Sequence, residues 1–368
     1  MKKTVLALGL ALSPLLAHAE SSVTLYGLIS QGLAYTSNVG GSHLTELKGN
    51  VQQASRWGLR GVEDLGNGNR ALFVLENGFS PDTGTWSQGR LFGRMAWVGL
   101  ANDKFGQLSF GRQMDAMSQT LAVYESAIQF AAFGTHIGDN DNLFPTARIS
   151  NSVQYSNKWG GLQLVLVYGA SERPGSSIDN RSFSLGVSYT RGPWSAGVAM
   201  HDMRWPNSAT NQGGAISGDW GAFSPFVTSQ GGAAVRRQST YGAGTSYAVS
   251  SAFKVFALYT HTRFDYADRT DLRLSNYELS ATYSVPPSTL LGAGYILTDG
   301  KYGVSGNKPK WHQINLGVDY FLSKRTDIFL VGMYQRAAGD AAFAQIYSNG
   351  RSSSRHQATL VAGIRHKF

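Results

Sequence analysis

The stretch Ser182-Phe183-Ser184-Leu185-Gly186-Val187-Ser188-Tyr189-Thr190 reads polar, apolar, polar, apolar to its end. A period of two sends successive side chains to opposite faces, so the segment is a β-strand with one wet face and one greasy face. The pattern returns downstream. Tyr277, Leu279, Ala281 and Tyr283 interleave with Asn276, Glu278, Ser280 and Thr282, and Ile314, Leu316, Val318 and Tyr320 interleave with Gln313, Asn315, Gly317 and Asp319. At the end of the chain, Ala358, Leu360, Ala362, Ile364 and Phe368 oppose Thr359, Gly363, Arg365 and Lys367. Around Tyr26 and Phe329 both faces are partly apolar, and the sequence assigns neither a side.

Extending this reading in both directions gives sixteen strands, at approximately 23–37, 51–63, 70–80, 90–102, 106–113, 147–157, 162–172, 181–191, 194–205, 237–249, 252–265, 273–285, 288–299, 310–322, 326–337 and 353–368. Their connections alternate in length. Asp103-Lys104-Phe105, Gly192-Pro193, Ser250-Ser251 and Pro286-Pro287 are tight. Long loops are expected around His43, from Met114 to Thr146, from Trp205 to Arg236, from Thr298 to Pro309 and from Ala338 to Ser352. An even number of strands joined by alternately short and long connections is an up-and-down antiparallel meander. Apart from Pro14, every proline falls in a connection, where its missing N–H breaks no ladder bond.

Composition narrows the environment. Charged residues are 15% of the chain, against roughly 25% in soluble domains, and glycine is 44 of 368 residues. No cysteine is present, which removes disulfides, thiol catalysis and cysteine-ligated zinc together. Lys2 and Lys3, the apolar run Val5 to Leu16 and the small-x-small Ala17-His18-Ala19 read as a secretory leader over residues 1–19. Its loss takes two of the 32 basic residues and no acidic one, leaving 30 against 23, or +7, on a single domain over residues 20–368. A soluble barrel would turn its apolar face inward, whereas a membrane barrel puts lipid outside and water inside. Sixteen strands enclose a bore too wide for side chains to fill, and in lipid the sheet must close. The fold expected is therefore an all-β, transmembrane, antiparallel up-and-down barrel of sixteen strands. Tyr35, Phe79, Trp97, Trp194 and Tyr320, near strand ends, fit interfacial aromatic girdles.

Particular residues carry a family resemblance. Ser55-Arg56-Trp57-Gly58-Leu59-Arg60-Gly61-Val62-Glu63-Asp64-Leu65-Gly66-Asn67-Gly68, followed by Ala71-Leu72-Phe73-Val74-Leu75-Glu76, resembles the SRxGxKGxEDLGxG and AxFQLE segments of Gram-negative general porins. Val23 to Gly27, Leu91 to Leu100, Phe110 to Gln113 and Arg148 to Tyr155 resemble further segments, and terminal Phe368 resembles the assembly signal of outer-membrane barrels. The resemblance is closest to the betaproteobacterial branch. Arg60 stands where lysine is common, and the loop from Met114 to Thr146 lacks the enterobacterial PEFGG motif. The resemblance implies a homotrimer in the bacterial outer membrane, in contact with its lipid and lipopolysaccharide and inserted by the barrel-assembly machinery. It also implies a third long loop folded into each lumen.

Alternation places Arg56, Gly58 and Arg60 opposite Trp57 and Leu59, and Arg90 and Arg94 opposite Leu91, Met95 and Trp97. Arg148 shares its face with Ser150, Ser152 and Gln154. By resemblance, Arg56, Arg94 and Arg148 correspond to the basic wall of the narrowest point, with Arg60 and Arg90 as weaker candidates. Arg112 receives no side. The Met114 to Thr146 loop carries Asp115, Glu125, Asp139 and Asp141, and Asp115 and Glu125 are the carboxylates first expected to face the arginines. A charge pair ~10 Å apart interacts by about 0.4 kcal/mol in water and ~1.7 kcal/mol at an effective dielectric of 20. Energies of that size bias permeation without trapping the solute.

The expected function is passive diffusion of small hydrophilic solutes and ions, with a preference for anions from the positive charge and the basic wall. A solute-specific channel is the alternative, in which Tyr124, Phe130 and Phe133 either form a track or pack the inserted loop. Barrel enzyme and adhesin are further readings. The histidines are dispersed, and neither G-x-S-x-G nor H-E-x-x-H occurs. Nucleic-acid binding fails because Lys and Arg are not clustered. Asp139-Asn140-Asp141-Asn142 begins like a calcium loop but lacks the following glycine and the distal glutamate. No cofactor and no metal are expected.

Overall fold

The computed structural model describes residues 21–368. The expected leader, residues 1–19, lies outside them. Seventeen β-segments form one sheet: β1 (Ser22–Val39), β2 (Ser42–Gly49), β3 (Arg56–Gly66), β4 (Asn69–Gly78), β5 (Met95–Asn102), β6 (Gly106–Gln113), β7 (Ile149–Trp159), β8 (Leu162–Gly169), β9 (Arg181–Arg191), β10 (Trp194–Arg204), β11 (Val235–Ala248), β12 (Phe253–Tyr266), β13 (Asp271–Val285), β14 (Thr289–Tyr302), β15 (Pro309–Phe321), β16 (Thr326–Gly339) and β17 (His356–Lys367). Each is antiparallel to its neighbours, and β17 returns to β1 in register from Leu28↔Lys367 to Thr36↔Thr359, which closes the barrel. No backbone edge is left for lipid, as the low dielectric of a bilayer demands.

Seventeen segments make sixteen staves. β2 and β3 both pair with β1, over Gln31 to Val39 and Ser22 to Leu28 respectively, so they are two lengths of one wall strand. Between them, Asn50 takes a left-handed turn, and Val51 and Gln52 fold into the interior. Side chains replace the broken ladder: Ser55 Oγ accepts from Ser30 N at 3.0 Å, and Ser30 Oγ accepts from Gln52 N at 3.0 Å.

This corrects the long loop expected around His43. Gly40 (φ +62°) and Gly41 (φ +107°) both sit at positive φ, which allows a two-residue reversal that tightly follows the strand twist. His43 lies in β2 and stacks on Tyr35 across the pair, with ring centroids 6.1 Å apart. The connection after β14 is likewise shorter than expected, because that strand runs on to Tyr302.

The two faces have the polarity a membrane requires. Leu279 is 66% exposed and Tyr277 49%, while Asn276 between the same strands is fully buried and Glu278 nearly so. Ser182 and Ser184 are buried in the same way beside the outward Phe183 and Leu185. The mixed strands also resolve. In β16, Phe329, Val331 and Met333 point inward beneath Ala132 and Phe133 of the long third loop, while Ile328 and Leu330 face outward. In β1, Tyr26, Leu28, Ser30 and Ala34 point inward and Leu25, Ile29, Leu33 and Tyr35 outward.

Terminal Phe368 completes the seam. Its N–H donates to Gly27 O and its carbonyl accepts from Gly27 N, both at 3.0 Å, and its ring occupies the space where a Cβ on Gly27 would lie.

Candidate pore constriction

The chain between β6 and β7 enters the barrel and packs along its inner surface from β8 to β16. Asp115 starts this segment by accepting Ser118 N at 2.9 Å, capping the helix α1 (Ala116–Leu121). α1 rests on β9 and β10, Tyr124 on β11, and Phe130 on β14 and β15. Glycine makes the contact possible: a Cβ on Gly186 would lie 1.9 Å from Thr120 Oγ1, and one on Gly292 would lie 2.1 Å from the Phe130 ring. Burying each large apolar side chain here contributes about 1.5–3 kcal/mol.

The opposite side of the bore stays open as a cavity of about 850 Å³, bordered by Lys48, Arg90, Arg94, Phe133, Arg148 and Asp219 among others. Three of the expected basic residues, Arg90, Arg94 and Arg148, border it directly. Arg94 Nε donates to Glu76 Oε1 at 2.7 Å, and Arg56 Nε lies 3.6 Å from the other oxygen of the same carboxylate. Tyr26 donates its hydroxyl to Glu76 Oε2 at 3.0 Å. Arg148 has no carboxylate partner among the described residues, and its Nε is unpaired. Burial, with Arg94 and Arg112 nearby, lowers its pKa to about 9, which leaves it charged at neutral pH. Arg60 stands apart toward the short-turn end, exposed, with its guanidinium 5.6 Å from the Tyr26 ring centroid.

Arg112, which sequence left unplaced, joins the cluster. It donates to Gly93 O and to Ser150 Oγ, both at 2.7 Å, and pairs with Asp219 from the loop between β10 and β11. Burial raises the Asp219 pKa despite the opposing pull of Arg112 and Arg90. Sequence reasoning also missed Glu76. Its register opposite Gly58 puts it on the Arg56 face, a signal available once β3 and β4 are aligned as a hairpin. Asp219 gave no such signal, because it sits in an irregular loop.

Asp115 and Glu125 do not face the arginines, and that expectation is corrected. Both are fully buried against the far wall. Asp115 is consumed in capping α1 and in accepting Asn142 Nδ2 at 2.8 Å. Glu125 accepts from Thr135 Oγ1 and lies with His136, Asp141 and Glu278 in a cluster between loop and wall. Burial raises the Glu125 pKa well above the carboxylate range, with Glu278 and Asp141 adding to the rise and His136 opposing it. Asp139 is also buried and binds the loop to itself through Phe144 N, Thr146 N and Thr146 Oγ1. Tyr124 and Phe130 pack on the wall, and of the three candidate track aromatics only Phe133 borders the cavity, 4.9 Å beneath Lys48 Nζ.

A closed barrel with a greasy exterior, a polar inner face and a charged cavity within it is a transmembrane aqueous channel. Comparison with known proteins agrees. The Gram-negative porin family model matches residues 4–340. An outer-membrane porin protein of Bordetella pertussis is 30% identical over the full length of both chains, and outer membrane porin protein 32 of Delftia acidovorans is 29% identical, again over both full lengths. Among solved structures, an anion-selective porin from Comamonas acidovorans superposes with a TM-score of 0.76 at 25% identity, covering 95% of this chain and all of that one. OmpT of Vibrio cholerae in its trimer form shares the fold, with a TM-score of 0.69 at 16% identity over 95% of this chain and 99% of that one. The chain belongs to the Gram-negative porin family and is an outer-membrane channel.

Proposed function

We propose that this channel passes small hydrophilic solutes by diffusion and prefers anions, with Arg56, Arg94 and Arg148 as its basic wall and Arg60 extending it toward the short-turn end. The carrying observation is an imbalance. Six basic groups, Lys48, Arg56, Arg90, Arg94, Arg112 and Arg148, gather at the cavity with four carboxylates, Glu46, Glu76, Asp82 and Asp219, so two positive charges are unmatched and Arg148 has no acidic partner among the described residues. An anion entering the waist meets a favourable field, while a cation meets a barrier. The acidic side differs from the one the sequence suggested: Glu46, Asp82 and Asp219 border the cavity in place of Asp115 and Glu125. The name of the Comamonas acidovorans relative, an anion-selective porin, supports the same preference.

Reversal potentials across planar bilayers under a KCl gradient test this directly. A potential with the sign of chloride permeation is expected, and cation preference in the wild type would overturn it. We further propose removal of residues 1–19 on export, leaving 20–368 as one barrel domain, assembly as a homotrimer, and contact with lipopolysaccharide. Phe368 would serve as the address for the assembly machinery. Intact mass and crosslinking of the outer-membrane form check the first two.

A further inference from the structure

The cluster under the inserted loop has a chemistry that permeation does not use. His136 Nδ1 lies 2.6 Å from Asp141 Oδ2, and His136 Nε2 lies 3.1 Å from Glu278 Oε2. Asp141 Oδ2 is held in turn by Thr260 Oγ1 at 2.5 Å and Asn276 Nδ2 at 3.2 Å. A Glu125 oxygen, a ring nitrogen of His136 and a Glu278 oxygen all lie within 4.8 Å of one another, and all three residues are buried. Glu125 Oε2 has no hydrogen-bond partner, although its side chain is entirely excluded from solvent. Among the described residues, no lysine or arginine pairs with Glu125, Asp141 or Glu278. Three buried carboxylates thus share one imidazole, and burying unmatched negative charge is costly.

We propose that Glu125, His136 and Glu278 form a binding site for a divalent ion of the zinc class, which staples the inserted loop to β13. The donor set suits that class: one imidazole nitrogen and two carboxylates, with a water completing the four. Zinc with bonds of about 2.0–2.1 Å in a tetrahedron needs ligand atoms ~3.3 Å apart, close to the 3.1 Å between His136 Nε2 and Glu278 Oε2. Nε2 lies at hydrogen-bond distance from Glu278; on binding a metal it would give up that proton and coordinate, with the Nδ1 hydrogen bond to Asp141 orienting the ring as a carboxylate behind a histidine does. A dication with neutral His136 balances Glu125 and Glu278. Calcium, which takes six to eight oxygens, finds too few here. The ligands come from residues up to 153 positions apart, from Glu125 to Glu278, so no local motif announces the site.

The test uses the folded full-length protein in detergent, stripped with chelator and titrated with Zn²⁺ against a competing indicator. One zinc per chain is expected, bound at least tenfold more tightly than by Glu125→Gln, with no displacement by a hundredfold excess of Ca²⁺. Equal binding by wild type and Glu125→Gln would assign the metal to surface histidines and overturn the proposal, as would absence of stoichiometric binding. X-ray absorption at the zinc edge on the wild type needs no variant to fold. A single imidazole among nitrogen and oxygen ligands at about 2.0 Å is the expected shell. Two or more imidazoles would overturn the proposal.

Discussion

The inner surface of this barrel has two halves built from one alternation and put to opposite uses. Along β3 to β6, inward polar residues such as Arg56, Glu76 and Arg94 surround or border open water. Along β9 to β16, inward polar residues such as Ser184, Asn276, Glu278 and Asn315 are just as regularly placed but are sealed beneath the inserted loop. There each finds a partner inside the protein. Asn276 Nδ2 reaches Thr260 Oγ1 at 2.9 Å and Asn140 Oδ1 at 3.0 Å, and its Oδ1 accepts from Thr298. Asn315 Nδ2 donates to Gly134 O at 2.6 Å. Polarity of the lumen face is therefore no guide to hydration. On the wet half it sets a field for permeants, and on the dry half it welds a loop that makes the bore narrow.

That contrast can be broken by experiment. The largest effect is expected from Arg148→Glu on the wet half. A change of two charges ~10 Å from a permeating ion alters that ion's permeation between about fourfold, at water's dielectric, and a few hundredfold, at an effective 20, in opposite directions for anions and cations. Reversal potentials should swing toward cations, and Arg94→Glu should do the same. If neither moved them, the wet half would not be the filter. On the dry half, Gly292→Ala forces a methyl against Phe130 and should cost about 1–3 kcal/mol, read from urea unfolding, while disturbing the conductance. An unchanged current with full stability would mean that the loop is not held there.

Asn276→Ala tests whether the sealed polar face is structural. Orphaning the Thr260, Asn140 and Asp141 groups should cost about 1–3 kcal/mol by the same measurement, with ion preference unaltered. The smallest effect concerns pH. Because the Asp219 pKa is raised, its carboxylate takes up a proton at a higher pH than an ordinary aspartate and then ceases to offset Arg112. Anion preference should rise as pH falls, and Asp219→Asn should show the heightened preference at neutral pH with a flatter profile. Added salt should weaken each selectivity, since the screening length falls from about 10 Å at 0.1 M to 3 Å at 1 M.

The barrel was legible in the sequence because alternation is a local property. Ser182 to Thr190 shows its two faces without knowledge of any partner, and the count of sixteen staves follows from repeating that reading. The β2 segment escaped it: Leu44, Glu46 and Lys48 share one face and His43, Thr45 and Leu47 the other, so neither face is uniform. The basic wall was partly legible for the same local reason. The destination of Asp115, Glu125, Asp139 and Asp141 was not. Asp115, Glu125 and Asp139 find hydrogen-bond partners within the loop itself, and those of Asp141 on the wall, Asn276 and Thr260, lie more than a hundred residues away. A loop carboxylate carries no periodicity to say whether it turns toward water or toward its own scaffold.

The meeting of Phe368 with Gly27 has a bearing on how such a protein is made. The first stave shares its hydrogen bonds with β17, from Leu28↔Lys367 to Thr36↔Thr359, so the sheet cannot become a cylinder until β17 has been made. A message truncated ahead of β17 would yield a ribbon with two raw margins, unfit for lipid and open to proteolysis. Placing the clasp on β17, the stave made after all the others described, makes closure itself the inspection that the whole run of staves has arrived.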